Sequence, residues 1–125
     1  MFSSVTLKVV SAELTTDKDF TEGIHSFCTI RTAAKEFKTR VAEGQGTHPV
    51  WNDCFQVDAG EDSSVSVTVW DKDKAGLDEP LGETTFNLDQ QIKSEQLNLL
   101  QPLYQDGLPK GKIYLELQLP GQPTF

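Results

Sequence analysis

The chain is poor in groups that carry redox, thiolate-metal or acid–base chemistry: its 125 residues hold two cysteines, Cys28 and Cys54, and two histidines, His25 and His48. No Cys-x-x-Cys pair is present, and each cysteine lies inside an apolar strand pattern, so two buried thiols are expected rather than a metal or redox site. Neither histidine adjoins a recognisable nucleophile motif, which argues against an enzyme. Positive charge is also scarce, with 11 basic residues against 19 acidic ones and a formal net charge of -8. That balance repels DNA and RNA and opposes anionic membranes, so any lipid contact needs a local source of positive charge. No window approaches the roughly 20 apolar residues of a membrane span. The start, Met1-Phe2-Ser3-Ser4, lacks the charged segment and apolar run of a secretory signal, and a cytoplasmic location is expected. There is no internal repeat or low-complexity block. The length suits one domain, expected over residues 1–119 with a short tail at 120–125.

What is present is strand character. Val5, Leu7 and Val9 alternate with Thr6 and Lys8, and β-branched and aromatic residues recur at 27–31, 37–41 and 50–57. Val65, Val67 and Val69 form the clearest period-two run, closing in Trp70. Segments 81–88, 97–104 and 113–119 complete a set of eight, and residues 90–96 are expected to form one helical turn. Gly60-Glu61-Asp62 and Gly107-Leu108-Pro109 read as turns, and residues 44–49 as a longer polar connection. Eight short strands with regular turns predict an all-β, antiparallel sandwich. Trp51 and Phe55 are expected in the core, and Trp70 partly exposed on a sheet surface.

The most informative stretch runs from Trp70 to Glu83, where Asp71, Asp73, Asp78 and Glu79 gather between two strands. Two carboxylates about 4 Å apart repel by roughly 1 kcal/mol in water and about 4 kcal/mol near a protein surface. A divalent cation relieves that repulsion, and calcium, which takes oxygen ligands in flexible geometry, suits a loop better than magnesium does. An EF-hand is excluded because Ala75 and Gly82 stand where that loop needs ligands, and strands flank the site. Taken alone, the loop is equally well read as a solvated acidic turn. A second acidic stretch, Asp17 and Asp19, also follows directly from a strand, and two such loops at one end of a sandwich would form a shared pocket.

Leu7 to Leu14, the run Pro49-Val50-Trp51-Asn52-Asp53-Cys54-Phe55, Val67 to Asp73, and Leu81-Gly82-Glu83 together resemble the C2 domain family across nearly the whole chain. The order of strands resembles its type II topology. Val41 to Asn52 resembles the Val-Ala-x-Gly-x-Gly-x-x-Pro-x-Trp-Asn run of small stand-alone plant C2 proteins. The resemblance implies an eight-stranded antiparallel Greek-key β-sandwich that binds phospholipid under the control of calcium. Carried over by position, it implies calcium ligands at Asp19, Asp71, Asp73 and Glu79, with Asp78 as a neighbour and Lys72 contributing its backbone carbonyl.

The family's Asp-Pro-Tyr reads His25-Ser26-Phe27 here, so an imidazole replaces a bridging carboxylate. Fewer charged oxygens imply weaker calcium binding or fewer ions. Were His25 to lie beside Asp19 and Asp71, its protonation would place a positive charge among the carboxylates. Phe20 and Leu77, apolar residues among charges, are candidates for membrane contact, with ordinary packing as the alternative. Arg31, Lys35, Lys38 and Arg40 occupy the region that the family uses for phosphoinositides, though Ala33, Ala34 and Glu36 interrupt them. Each basic residue near an anionic surface contributes roughly 1 kcal/mol at best, too little to outweigh the overall charge clearly. The sequence therefore points to a module that docks peripherally on anionic phospholipid with calcium, the runner-up being a calcium-independent scaffold for a protein partner.

Overall fold

Period-two alternation of apolar residues sets the layers of this protein. A computed structural model describes residues 4–15, 23–59, 63–72 and 76–121. In chain order the elements are β1 (Ser4–Leu14), β2 (Ser26–Arg31), β3 (Glu36–Lys38), β4 (Val50–Asp58), β5 (Ser64–Asp71), β6 (Glu79–Asn87), α1 (Leu88–Lys93), β7 (Asn98–Gln105) and β8 (Leu108–Gln118). The strands are antiparallel and hydrogen-bond in the order β3-β2-β5-β6-β7-β8-β1-β4.

The joint between β6 and β7 is a single residue pair, Glu83 with Tyr104, whereas β1 pairs extensively with both β4 and β8. At that joint the sheet turns back on itself, giving layers β3-β2-β5-β6 and β7-β8-β1-β4. The buried indole of Trp51 on β4 donates from Nε1 to the Ser26 carbonyl on β2 at 3.0 Å, although these strands lie far apart in the hydrogen-bonded order. Such a bond requires the two layers to face each other. Val65, Val67 and Val69 of one layer and Leu7, Val9, Ile113 and Leu115 of the other belong to one buried cluster. A bulge between Val9 and Ser11 shifts the phase of β1, so Val5, Leu7 and Val9 point inward and then Ala12 and Leu14 do.

Several local expectations are corrected. The helix begins earlier than residue 90, because the Asn87 side chain caps it by accepting the Gln90 N–H at 3.0 Å. Strand β8 starts at Leu108 rather than at 113, and the turn is Asp106-Gly107, both at positive φ. Strand β3 ends at Lys38 because Arg40 is drawn to Asp53 on β4. Of the expected pair of buried thiols, Cys28 is buried but Cys54 is exposed. With Trp51 and Val57 inward, alternation sends Cys54 outward. The turn expected at Gly60-Glu61-Asp62 lies outside the described residues.

Close backbone approach fixes how β8 meets β1. Gly111 sits at φ 112°, paired with Leu14, and a Cβ there would collide with the carbonyl of Glu13. Near the β6–β7 joint, Gly82 lies so close to Leu103 that a Cβ would sit 2.9 Å from that residue's own Cβ. Along the edge of β4, burial raises the Asp53 carboxyl, but hydrogen bonds from the Arg40 guanidinium and backbone N–H outweigh it and hold the group below its ordinary value. Burial, and secondarily the charge of Asp53, raise the Cys28 thiol well above its usual range.

Three expectations follow from this packing. Gly111→Ala should cost roughly 1–3 kcal/mol, read as a fall in Tm of several degrees in a thermal melt. A thiol reagent should titrate one cysteine in the folded chain and the second only after denaturation. Because the Asp53 carboxyl is depressed in the folded state, its stabilising contribution is complete above the unfolded carboxylate value of about 4 and is lost as pH falls through its lower folded value. The gap in urea midpoint between the parent and Asp53→Asn should therefore close on acidification below about pH 4.

Candidate functional site

Antiparallel strands in this order bring the end of β1, the start of β2, the 39–49 connection, the end of β5, the start of β6 and the 106–107 turn to one end of the sandwich. Backbone bonds tie them together there. Leu14 N donates to Thr47 O at 2.8 Å, Gly46 N to Ile24 O at 3.3 Å, Lys72 N to His25 O at 2.8 Å and Thr15 N to Lys110 O at 3.0 Å.

Asp71 is the best-defined member of this end. It continues the inward face of Val65, Val67 and Val69 and is only 7% exposed. Its Oδ1 accepts the backbone N–H of His25 at 3.2 Å. A bulge between Val69 and Trp70 decides what stands opposite: Val69 pairs with Gly82 but Trp70 with Pro80, so Asp71 faces Glu79. Without the extra residue Pro80 would hold that position. Bulges beside functional sites commonly re-aim a side chain in this way. Like charges directly opposite on a ladder are unfavourable, which makes the pairing of two carboxylates informative. Asp78 is partly buried, 3.9 Å from Lys72 Nζ. Asp19 and Asp73 lie outside the described residues, as do Asp17 and Phe20. Among the described residues no group of three acidic, histidine or cysteine side chains comes together.

The His25 backbone touches Asp71, while its ring turns toward the β3–β4 connection. Nδ1 lies 2.9 Å from the Gly44 N–H and 2.9 Å from Glu43 Oε2. These contacts are alternatives, since a bare Nδ1 accepts from Gly44 and a protonated one donates to Glu43. Glu43 was not singled out from the sequence, because nothing local says that residue 43 would meet residue 25. Ser26, paired with Asp71, is wholly buried.

The basic residues divide. Arg31 is paired with Glu36 at 3.0 Å and Arg40 with Asp53 at 2.8 Å. Lys35 is exposed in a tight turn where its N–H donates to Thr32 Oγ1. Lys38 Nζ sits 4.5 Å and Lys72 Nζ 5.9 Å from the centre of the buried Phe27 ring, so two ammonium groups meet one aromatic face. Lys72 was read only for its carbonyl; alternation from Cys28 and Ile30, which face the core, would have placed Phe27 on the outer face to receive it. Beside Phe27, Trp70 is half-buried, as expected, and donates from Nε1 to Thr29 at 2.9 Å. Leu77 stands almost fully in solvent at 84% exposure.

A family profile described as the C2 domain matches residues 3–103. A 16 kDa phloem protein 2 from Arabidopsis thaliana is 33% identical over 82 residues, covering 65% of this chain and 56% of that protein, so the chain matches little more than half of that relative's length. Among solved structures, a C2 domain-containing protein superposes with a TM-score of 0.78 at 27% identity, covering 97% of this chain and 91% of the other. The calcium-bound pair of C2 domains from Extended-Synaptotagmin 2 superposes with a TM-score of 0.76 at 22% identity, over 94% of this chain and 45% of that one, a likeness of fold. With the eight-stranded sandwich and a profile match over most of its length, the chain belongs to the C2 domain family.

Proposed function

We propose that this protein is a non-catalytic, peripheral membrane-docking module that binds anionic phospholipid with the help of calcium. The observation that carries the reading is the bulge in β6, which sets Glu79 opposite Asp71 where the core opens to the tip. Two oxygen-donor side chains held opposite each other at the rim of a sandwich suit a hard cation. Asp71 and Glu79 would hold the ion together with Asp19 and Asp73, with Asp78 alongside and the Lys72 carbonyl as a further donor. Bound calcium supplies a positive bridge between carboxylates and lipid phosphate. The imidazole at position 25 removes one anionic oxygen from the expected set, so affinity is weak or fewer ions bind.

Lipid contact needs apolar and cationic groups around that ion. Leu77, with Phe20, supplies the apolar part, and the pair Lys38 and Lys72 over Phe27 supplies a compact cationic site for a phosphorylated head group. Lys35 lies apart from that pair, in the β2–β3 turn, and Arg31 and Arg40 are neutralised by Glu36 and Asp53. No helix among the described residues is long and apolar enough to cross a membrane.

A second reading, a calcium-independent scaffold for a protein partner, is favoured by the engagement of the His25 ring with Gly44 and Glu43 instead of with Asp71. Calorimetric titration with calcium, followed by vesicle sedimentation with and without chelator, separates the two. The parent chain should bind calcium and sediment with phosphatidylserine vesicles only when calcium is present. Calcium at about 100 times its Kd should add roughly 2.7 kcal/mol to stability. Asp71→Asn keeps an oxygen to accept the His25 N–H, so it should melt like the parent in chelator yet lose the calcium response. No calcium heat and sedimentation indifferent to chelator would favour the scaffold.

A further inference from the structure

The two outer faces of the sandwich differ in chemistry. On the β3-β2-β5-β6 layer, polar groups answer one another: Ser66 with Thr85 at 3.0 Å, Thr68 with Glu83 at 3.2 Å, and Arg31 with Glu36 at 3.0 Å. On the β7-β8-β1-β4 layer, large apolar side chains stand in solvent. Leu99, Leu103, Ile113 and Leu115 turn inward, so Leu100 and Tyr104 turn outward, whereas Leu108, opposite Gln105, stands exposed on the other face of the hairpin tip. Leu108 is 59% exposed and Tyr104 50%.

Tyr104 and Leu108 straddle a two-residue hairpin turn, closed by the pairing of Gln105 with Leu108. Asp106 at φ 53° and Gly107 at φ 78° give it the left-handed conformation that matches strand twist. The element is therefore fixed before it meets anything, and binding through it costs little ordering entropy. Register places it at the acidic end. Tyr104 pairs with Glu83, so β7 runs from there toward the end where β6 begins at Glu79. On its other side Gly111 pairs with Leu14, and Lys110 O accepts the Thr15 N–H. The turn thus shares one end of the domain with Leu77.

We propose that the β7–β8 turn is a second membrane-contacting element, in which Leu108 enters the boundary between head groups and acyl chains, Tyr104 rests at the interface and Lys110 meets lipid phosphate. This rests on the reading that the acidic end faces a lipid surface, and it adds a contact that needs no calcium ligand. Apolar side chains on a preformed turn, at the end of the domain that also carries the exposed Leu77, present separate points to a surface. A bilayer surface accepts such points together, whereas a protein partner would need a cavity for each. Tyrosine suits the interface because one end of its ring is apolar and the other wet. The lysine two residues beyond Leu108 is complementary to anionic lipid.

The test uses the full chain carrying Cys54→Ser, with an environment-sensitive fluorophore on Leu108→Cys or on Leu77→Cys, added to phosphatidylserine-containing vesicles with calcium or chelator. The buried Cys28 escapes labelling in the folded chain. A blue shift and protection from an aqueous quencher at position 108 are expected whenever the protein sediments with vesicles. In an unlabelled Leu108→Ser variant, vesicle affinity should fall roughly tenfold while calcium affinity in solution is unchanged. If the chain sediments and position 77 is protected while position 108 stays open to the quencher, the hairpin proposal is overturned and the docking reading stands. If neither position is protected and nothing sediments, with or without calcium, both fall.

Discussion

Asp71 follows three core valines on the inward face of β5, and a carboxylate in line with a core must be hydrogen-bonded or compensated where the apolar interior gives out. The surrounding end of the domain answers that constraint. His25 offers its backbone N–H to Asp71 and accepts the Lys72 N–H at its carbonyl, so the start of β2 and the exit from β5 are clasped to each other. Because His25 is held by its backbone, its ring is free to serve another connection, and it does so at Gly44 and Glu43. One buried acid therefore organises three of these segments before any ion is considered.

Much of this was legible in the residues. Strict alternation at Val65, Val67 and Val69 placed β5 and, through it, Asp71; the tryptophan and proline of the 49–55 run placed β4 and the core indole. The details that escaped were phase and distance. Cys54 needed the alternation to be carried through from Trp51, and β8 needed the Asp106-Gly107 pair to be read as a tight hairpin turn, which left Leu108 and Pro109 to the strand. The bulge that sets Glu79 against Asp71 is written nowhere in local sequence, because it arises from matching two ladders of unequal length. Counting back from Gly82 singled out Glu79 only through likeness to a family, and the contact of Glu43 with His25 was out of reach because it joins residues brought together by the fold alone.

Charge distribution reconciles an acidic protein with an anionic surface. A net charge of -8 opposes approach as a whole, yet screening limits such repulsion to about 8 Å at physiological salt. What matters is the set of groups within that distance of the lipid. Two of the four arginine and lysine side chains in the 31–40 region are spent on Glu36 and Asp53, and they add nothing at long range. Lys38 and Lys72 are instead gathered at one ring, where both ammonium groups lie against Phe27. Position, more than number, determines whether a basic residue is useful here.

Gly111 lets β8 approach the Glu13 carbonyl closely, and the Lys110 carbonyl receives the Thr15 N–H, so the β7–β8 hairpin is fastened to the end of β1. The β6–β7 joint, one residue pair wide, is fastened through the close contact of Gly82 with Leu103. The hairpin is thereby held on both flanks by strands that lead into the acidic end, and its exposed side chains keep a fixed offset from Asp71. Where the acidic residues depend on an ion for their attraction to lipid, Leu108 and Tyr104 depend only on apolar transfer, which salt and chelator scarcely alter. In a domain carrying both kinds of contact at one end, the ion brings that end to the lipid and the apolar turn then deepens the hold.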